Sequence, residues 1–395
     1  ITLIIILRYP DISRIILVAF FIRILFLIIN NYIFFLPDAD MDARNFEALA
    51  WNRSQDGFIN VFKYYNGPDT YFISTMLAIP YSLFGRSVLM LQSLSILLGI
   101  LSVYLGWILS KKVWDSETAT KVGWTLALFP SLVSYSVIVM REPYIVFLLI
   151  LATYGIVCWF REDRKIKSIF FVFFGFIGAT FFHGASIIGL AIFLFVISLE
   201  SIKSTFKLIM NGKVILRNLI IIFISLSLVG MFSLNKIKIP YIKNIEHSTN
   251  INIIKDTINF KVKGDAAYPE WTKVKSEYEL IYKIPLRVIY FLFSPFPWDI
   301  KKLDHLIGLL DSLLYMTLVF LIALNFKIIW KDPALRVIFL MLVCYFIVFG
   351  VGVSNFGTGI RHRLKFVFGL ILLAAPLIPT IAIVNKKKTK KYNNL

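Results

Sequence analysis

Three carboxylates within five residues, in Pro37-Asp38-Ala39-Asp40-Met41-Asp42, and a cationic run near the other end of the chain, Arg361-His362-Arg363-Leu364-Lys365, are the residues best suited to chemistry. Crowded carboxylates repel one another, so one of them gains proton affinity and suits the role of general base. The same acids are also a candidate divalent-metal site, with Asp38, Asp40 and Asp42 as ligands, or simply the polar start of a helix. Arginine suits bidentate contact with phosphate, and Lys365 adds a point charge. Gly357 and Gly359, just upstream, permit a tight turn whose amides point at an anion. The plainer reading of that run is anchoring to lipid headgroups. Arg141-Glu142-Pro143 puts a charged pair at the head of an apolar run, either paired internally or facing a shared polar cavity. His183 is the lone ionisable side chain in the apolar stretch 170–197, where such a residue is a functional hypothesis by default. A base for an acceptor hydroxyl and cations for a departing phosphate are what transfer from a phosphate-linked lipid donor requires. Asp42, with Asp40, is therefore the expected base or metal ligand. Arg361, Arg363 and Arg141 are the expected phosphate binders, with Glu142, His183, His362 and Lys365 in support.

The elements that must position these residues are membrane helices. Of the 395 residues 58% are hydrophobic and only 16% charged, which excludes an ordinary soluble globule. Lipid offers no hydrogen-bond partner to the backbone, and the unbroken apolar runs lack the alternation of barrel strands. The fold class is all-α, polytopic and integral to the membrane. A helix needs about 20 apolar residues to cross, which predicts ten spans near 15–36, 88–110, 120–138, 143–160, 166–183, 184–200, 217–234, 305–327, 335–354 and 364–384. The shorter proline-bearing stretches 71–85 and 285–298 read as re-entrant or interfacial segments.

Lys and Arg beside short connections set orientation. Lys111, Lys112 and Lys121, then Arg161, Arg164, Lys165 and Lys167, then Lys203, Lys207, Lys213 and Arg217, then Lys327, Lys331 and Arg336, fall on alternate connections. These connections and a basic tail, 385–395, are expected in the cytoplasm, with both termini inside. A first outer segment at 37–87 and a large one at 235–304 then lie on the opposite face. Together with the short turns at 139–142, 183–184 and 355–363 they gather the residues singled out above, with Lys365 just inside the last span. The whole of 1–395 is expected to form one transmembrane domain.

The net charge of +19 is explained by cations at span ends rather than by nucleic acid, since no basic patch with interleaved aromatics stands on a soluble domain. Cys158 and Cys344 sit in apolar runs, which argues against a disulfide or thiolate metal site. Ile1 in place of Met suggests a missing start, and the first span is expected to act as a signal anchor.

The stretch from Phe35 to Arg161 resembles the polytopic, lipid-donor-dependent glycosyltransferases of the C-type superfamily. The resemblance rests on the acids after the first span, the Asp42-Ala43-Arg44-Asn45-Phe46 helix, Leu83-Phe84-Gly85, Phe129-Pro130-Ser131 and Arg141-Glu142-Pro143. It implies a catalytic base or metal ligand at Asp40 or Asp42 and a second acid at Glu142. The run 355–363 is similar to turns in surface-polysaccharide enzymes, including O-antigen polymerases. The implied protein is an inner-membrane glycosyltransferase or repeat-unit polymerase with an extracytoplasmic site. Its partners would be a polyprenyl-phosphate-linked donor, a glycan acceptor, membrane lipids and a chain-length regulator protein. No organic cofactor is implied, and a divalent metal stays open. The segments 71–85 and 235–304 would roof the cavity. The rival from another class is a lipid-linked oligosaccharide flippase or other transporter, which would carry charges near the midplane on broken helices.

Overall fold

The computed structural model describes residues 1–65, 67–162, 165–209, 265–302 and 304–379. Its helices are Thr2–Arg8 (α1), Pro10–Tyr32 (α2), Arg44–Ser54 (α3), Phe58–Val61 (α4), Phe72–Phe84 (α5), Val88–Val113 (α6), Ser116–Leu128 (α7), Pro130–Tyr135 (α8) and Glu142–Arg161 (α9). They continue with Lys165–Phe182 (α10), Ile187–Ile209 (α11), Glu277–Phe293 (α12), Asp304–Leu324 (α13), Phe326–Lys331 (α14), Pro333–Gly352 (α15), Phe356–Arg363 (α16) and Val367–Ala374 (α17). Among the described residues there is no strand, only one antiparallel bridge between Ala267 and Asn355. Among the described residues five helices are long and apolar enough to cross a membrane: α2, α6, α9, α11 with the turn before it, and α15. The described residues are all-helical, and these five helices fit an α-helical membrane protein.

Local chemistry sets where these helices begin. Ser87, Asp115, Ser276, Asp332 and Asn355 each accept a backbone N–H from the first turn of the helix they precede. Such caps matter most where lipid cannot supply a partner. The closest helix pairing, α9 on α10, depends on missing side chains. A Cβ added at Gly175 would stand 2.5 Å from the Leu148 carbonyl oxygen, and one at Gly155 2.7 Å from the Val172 nitrogen.

The described helices depart from the expected spans in three places. The run 120–138 is not continuous: α7 ends at Leu128, Phe129 is extended, and Pro130 opens the six-residue α8. Proline supplies no N–H and pushes the residue before it out of the helical region. The run 285–298 begins inside a longer helix, α12, which tolerates Pro285 and ends at Phe293. The last apolar run is segmented into a turn at Leu364–Phe366, α17 and a turn at Ala375–Leu377 containing Pro376. The expected span 217–234, the tail 385–395 and the first part of the large loop lie outside the described residues.

Helix ends and breaks expose backbone carbonyls, and three buried arginines take up many of them. Arg23, in mid α2, donates to the carbonyls of Ala19 at 3.0 Å and Ala127 at 3.2 Å, the latter freed by the break at Phe129. Arg287 donates to Thr272 O (3.0 Å), Val351 O (3.1 Å), Val353 O (2.7 Å) and Ser354 Oγ (2.8 Å), closing the end of α15. Arg363 donates to Leu292 O and Ser294 O, both at 2.7 Å, closing the end of α12. The three rank among the largest fully buried side chains. A guanidinium fits because one rigid fork serves several acceptors.

Replacing Arg287 by Met leaves several buried acceptors unpaired. At ~1–3 kcal/mol for a buried unsatisfied group, the expected destabilisation is roughly 3 kcal/mol. Arg44→Met, at an exposed arginine, should change stability by less than about 0.5 kcal/mol. Thermal unfolding of the two variants in detergent checks this.

Candidate functional site

Four separate parts of the chain converge at one end of the bundle. The turn after α2 brings Asp38 and Asp42, the head of α9 brings Arg141 and Glu142, α16 and the turn after it bring Arg361, His362 and Lys365, and the break between α10 and α11 brings His183. Asp38 has the positive φ of 65°, a conformation that short polar side chains tolerate. Its carbonyl accepts from Ala43 N at 3.2 Å, which closes the π-helical turn Ala39–Ala43 and turns Asp42 inward.

Arg361 is the joint of the site. Its Nη1 pairs with Asp42, and its Nε donates to Glu142 Oε1 at 3.0 Å. Lys365 Nζ is 3.6 Å and Arg141 Nε 3.7 Å from that same Glu142 oxygen. Glu142 is fully buried at the first turn of α9, where the helix dipole favours a carboxylate. Its Oε2 makes no hydrogen bond among the described residues. Burial works against the charge on Arg361, but the carboxylates of Glu142, Asp42 and Asp38 outweigh it and hold its pKa above the usual value.

The histidines are not charge carriers here. Lys365 Nζ lies 2.9 Å from His362 Nδ1, within hydrogen-bond distance. Burial, then the ammonium of Lys365 and the other nearby cations, holds His362 well below the ordinary imidazole value. The His183 ring meets His362 edge-on at 5.3 Å, and both pack on Phe349. His183 and His362 thus offer neutral rings to the site.

Asp38 stands at the edge of the cluster. Tyr135 on α8 donates its hydroxyl to Asp38 Oδ2 at 2.6 Å. Burial pushes the Asp38 carboxyl above its ordinary value, against the Tyr135 bond and the Arg361 charge, with the Glu142 and Asp42 carboxylates adding to the rise. Arg141, Arg361 and Lys365 gather on Glu142, with Asp42 on Arg361, and beside them Asp38 is a carboxyl poised to exchange a proton.

Not every expected residue joins this cluster. Asp40 points away and pairs with Arg44 at 2.8 Å, both side chains about half exposed at 49% and 63%. Arg363 is spent on the end of α12 and on Asp311, 3.2 Å from its Nη2, and stacks 4.6 Å from the Tyr315 ring. It braces backbone rather than facing a phosphate. The acids also take separate partners, Asp38 with Tyr135, Asp40 with Arg44 and Asp42 with Arg361. Among the described residues no three His, Cys, Asp or Glu side chains group as a metal site would require.

Two residues of this region escaped the sequence reading. Tyr135 carries no local signal, because its place follows from the break before Pro130. Asp311 did carry one: an acid inside an apolar helix. No protein-family model, curated protein or solved structure matches the chain.

Asp38→Asn tests the electrostatics directly. A carboxyl whose folded-state pKa is raised favours the fold while protonated and loses that contribution as pH rises through its folded value. The neutral amide should therefore raise the melting temperature at pH 8, with the gain shrinking towards zero as the buffer is acidified past pH 4. An equal effect at both pH values would mean that the Asp38 charge is not the cause.

Proposed function

We propose that the protein is a membrane glycosyltransferase or repeat-unit polymerase that uses a polyprenyl-phosphate or diphosphate sugar in surface-polysaccharide assembly, O-antigen or capsule. The observation that carries the reading is the junction at Arg361, where the acids after α2 meet the cations of α9 and α16. In this reading the donor phosphate displaces half-exposed Asp42 from Arg361 and is held by Arg361, Arg141 and Lys365. The acceptor hydroxyl gives its proton to Asp38, and its oxygen attacks the anomeric carbon. The bond from that carbon to the phosphate oxygen breaks, and the leaving phosphate takes its charge onto the cations. In this reading the base is Asp38 rather than the Asp42 expected from the sequence, supported by its raised, half-buried carboxyl and by the engagement of Asp42 with Arg361.

The reading includes ten spans with both ends in the cytoplasm and the site on the extracytoplasmic side of an inner membrane. Ion pairs at the other end of the bundle, Lys112 with Glu162, Arg161 with Asp332 and Arg336 with Glu200, support that orientation, since they gather cations of the expected cytoplasmic connections. A second reading, a flippase for lipid-linked oligosaccharide, is favoured by Arg23 in mid α2 beside the broken α7 to α8 junction. Its guanidinium reaches only backbone carbonyls there, which is why transfer is preferred.

Deleting the gene separates the readings. Polymer loss with a single capped repeat or a truncated unit supports the enzyme, whereas complete units accumulating on the inner leaflet point to the flippase. On the enzyme reading, Asp38→Asn lowers glycan extension at least 100-fold, within the range of ~10²–10⁴ expected for loss of a general base. Arg361→Lys loses the fork geometry and weakens donor use roughly tenfold or more. Glycan ladders quantified beside the amount of protein in the membrane read both outcomes, and wild-type ladders from either variant count against the assigned role.

A further inference from the structure

A cavity of about 220 Å³ opens beside Asp38, on the side away from Arg361's partners on α9. Its walls combine Asp38, Ser131, Tyr135, His305 and Asp311 with the apolar surfaces of Phe356 and Ile360. Two of its buried polar atoms, Asp311 Oδ1 and Ser131 Oγ, make no hydrogen bond among the described residues. The Ser131 hydroxyl and amide lie beside the Asp311 carboxylate and interact with it, so a ligand hydroxyl here would join an acceptor and a hydroxyl already set side by side. Asp311 is 2% exposed, and its other oxygen is held by Arg363, so it faces the cavity as an anchored acceptor. His305 accepts the Lys301 amide at Nδ1, 3.2 Å away, which places its hydrogen on Nε2 as a donor. Its ring stands edge-on to Phe356 at 4.8 Å.

Buried polar atoms without partners cost ~1–3 kcal/mol each unless a ligand or water completes them. The volume corresponds to about seven waters, at about 30 Å³ each, and lies below the roughly 300 Å³ where sites for larger drug-sized ligands begin. A ligand that fits must be small, carry several groups that both donate and accept, and present an apolar face to Phe356 and Ile360. A metal ion is disfavoured, since no three His, Cys, Asp or Glu side chains group here among the described residues. A hydroxyl-bearing ring meets every requirement.

We infer that this cavity binds one pyranose ring, the terminal sugar of the acceptor, through hydroxyl contacts to Asp311, Ser131 and His305. The choice of a pyranose among hydroxyl-bearing rings rests on the glycosyl-transfer reading, whereas the hydroxyl chemistry rests on the cavity alone. Bound there, the ring lies against Asp38, the group assigned to take the acceptor proton. None of the three contact residues belongs to the phosphate cluster at Arg361.

The test is direct binding without turnover. Saturation-transfer NMR on the full-length protein in an amine-oxide detergent, free of sugar headgroups, uses the methyl pyranosides of glucose, galactose, mannose, rhamnose and N-acetylglucosamine, with cyclohexanol as the single-hydroxyl control. At least one pyranoside should bind and cyclohexanol should not. Ser131→Ala, which removes the hydroxyl beside Asp311, should weaken binding roughly threefold to tenfold. Ile360→Trp should fill the cavity and abolish binding, while Arg361→Ala should retain it. If Ile360→Trp does not fold, Ser131→Ala carries the test. Absence of binding by any pyranoside, or binding untouched by the cavity variants, overturns the inference. Failure of the enzyme reading appears elsewhere, as unaltered glycan in the deletion strain, and leaves this binding result standing.

Discussion

Every buried carbonyl at a helix break must find a donor, because lipid supplies none and an unpaired polar group there costs several kcal/mol. This structure breaks its helices repeatedly, before Pro130, after Phe293, after Gly352 and around Ala375. Arg23, Arg287 and Arg363 meet the demand at three of those places. A buried cation is itself expensive, and the cost is offset only because each guanidinium spreads over several carbonyl dipoles at once. Cations that a charge count would assign to function are in this way committed to architecture.

That commitment is what frees the site. Arg363 and Arg361 are two residues apart on α16 and face opposite tasks. Arg363 turns into the core, where it fixes the end of α12 and, through Asp311, α13. Arg361 turns to the bundle end, where Glu142 and Asp42 meet it. With α16 pinned by the first, the second is held in place without spending its own hydrogen bonds on the backbone. The bridge from Ala267 to Asn355 and the Asn355 cap fix the start of the same short helix.

The electrostatics of the site follow from burial acting unequally on neighbours. Glu142 is fully enclosed but surrounded by three cations, whereas Asp38 is partly enclosed and receives a phenol instead of a guanidinium. Two carboxyls that share the field of one arginine are thereby set differently, one as a fixed counter-charge and one as a carboxyl that burial disfavours as a charge. Stability and chemistry then pull against each other at Asp38, as is common where a charge is kept in a site that would fold better without it.

The sequence by itself determined the helical fold class and where the long apolar runs lie. Apolar content and run length leave only helices, but not where each one begins or breaks. It also brought forward Asp42, Glu142, Arg141, Arg361 and Lys365, because ionisable groups at span ends are conspicuous against an apolar background. Tertiary structure alone decided which of them meet. Arg361 and Arg363 are indistinguishable as letters, and only the packing of α12 and α13 sends one into the core. Asp40 differs from Asp38 and Asp42 only in the direction in which a π-helical turn points it. The cavity of Asp311, Ser131 and His305 was illegible for the same reason: it is bounded by segments far apart in the chain, and no spacing along a sequence encodes a distance across a bundle.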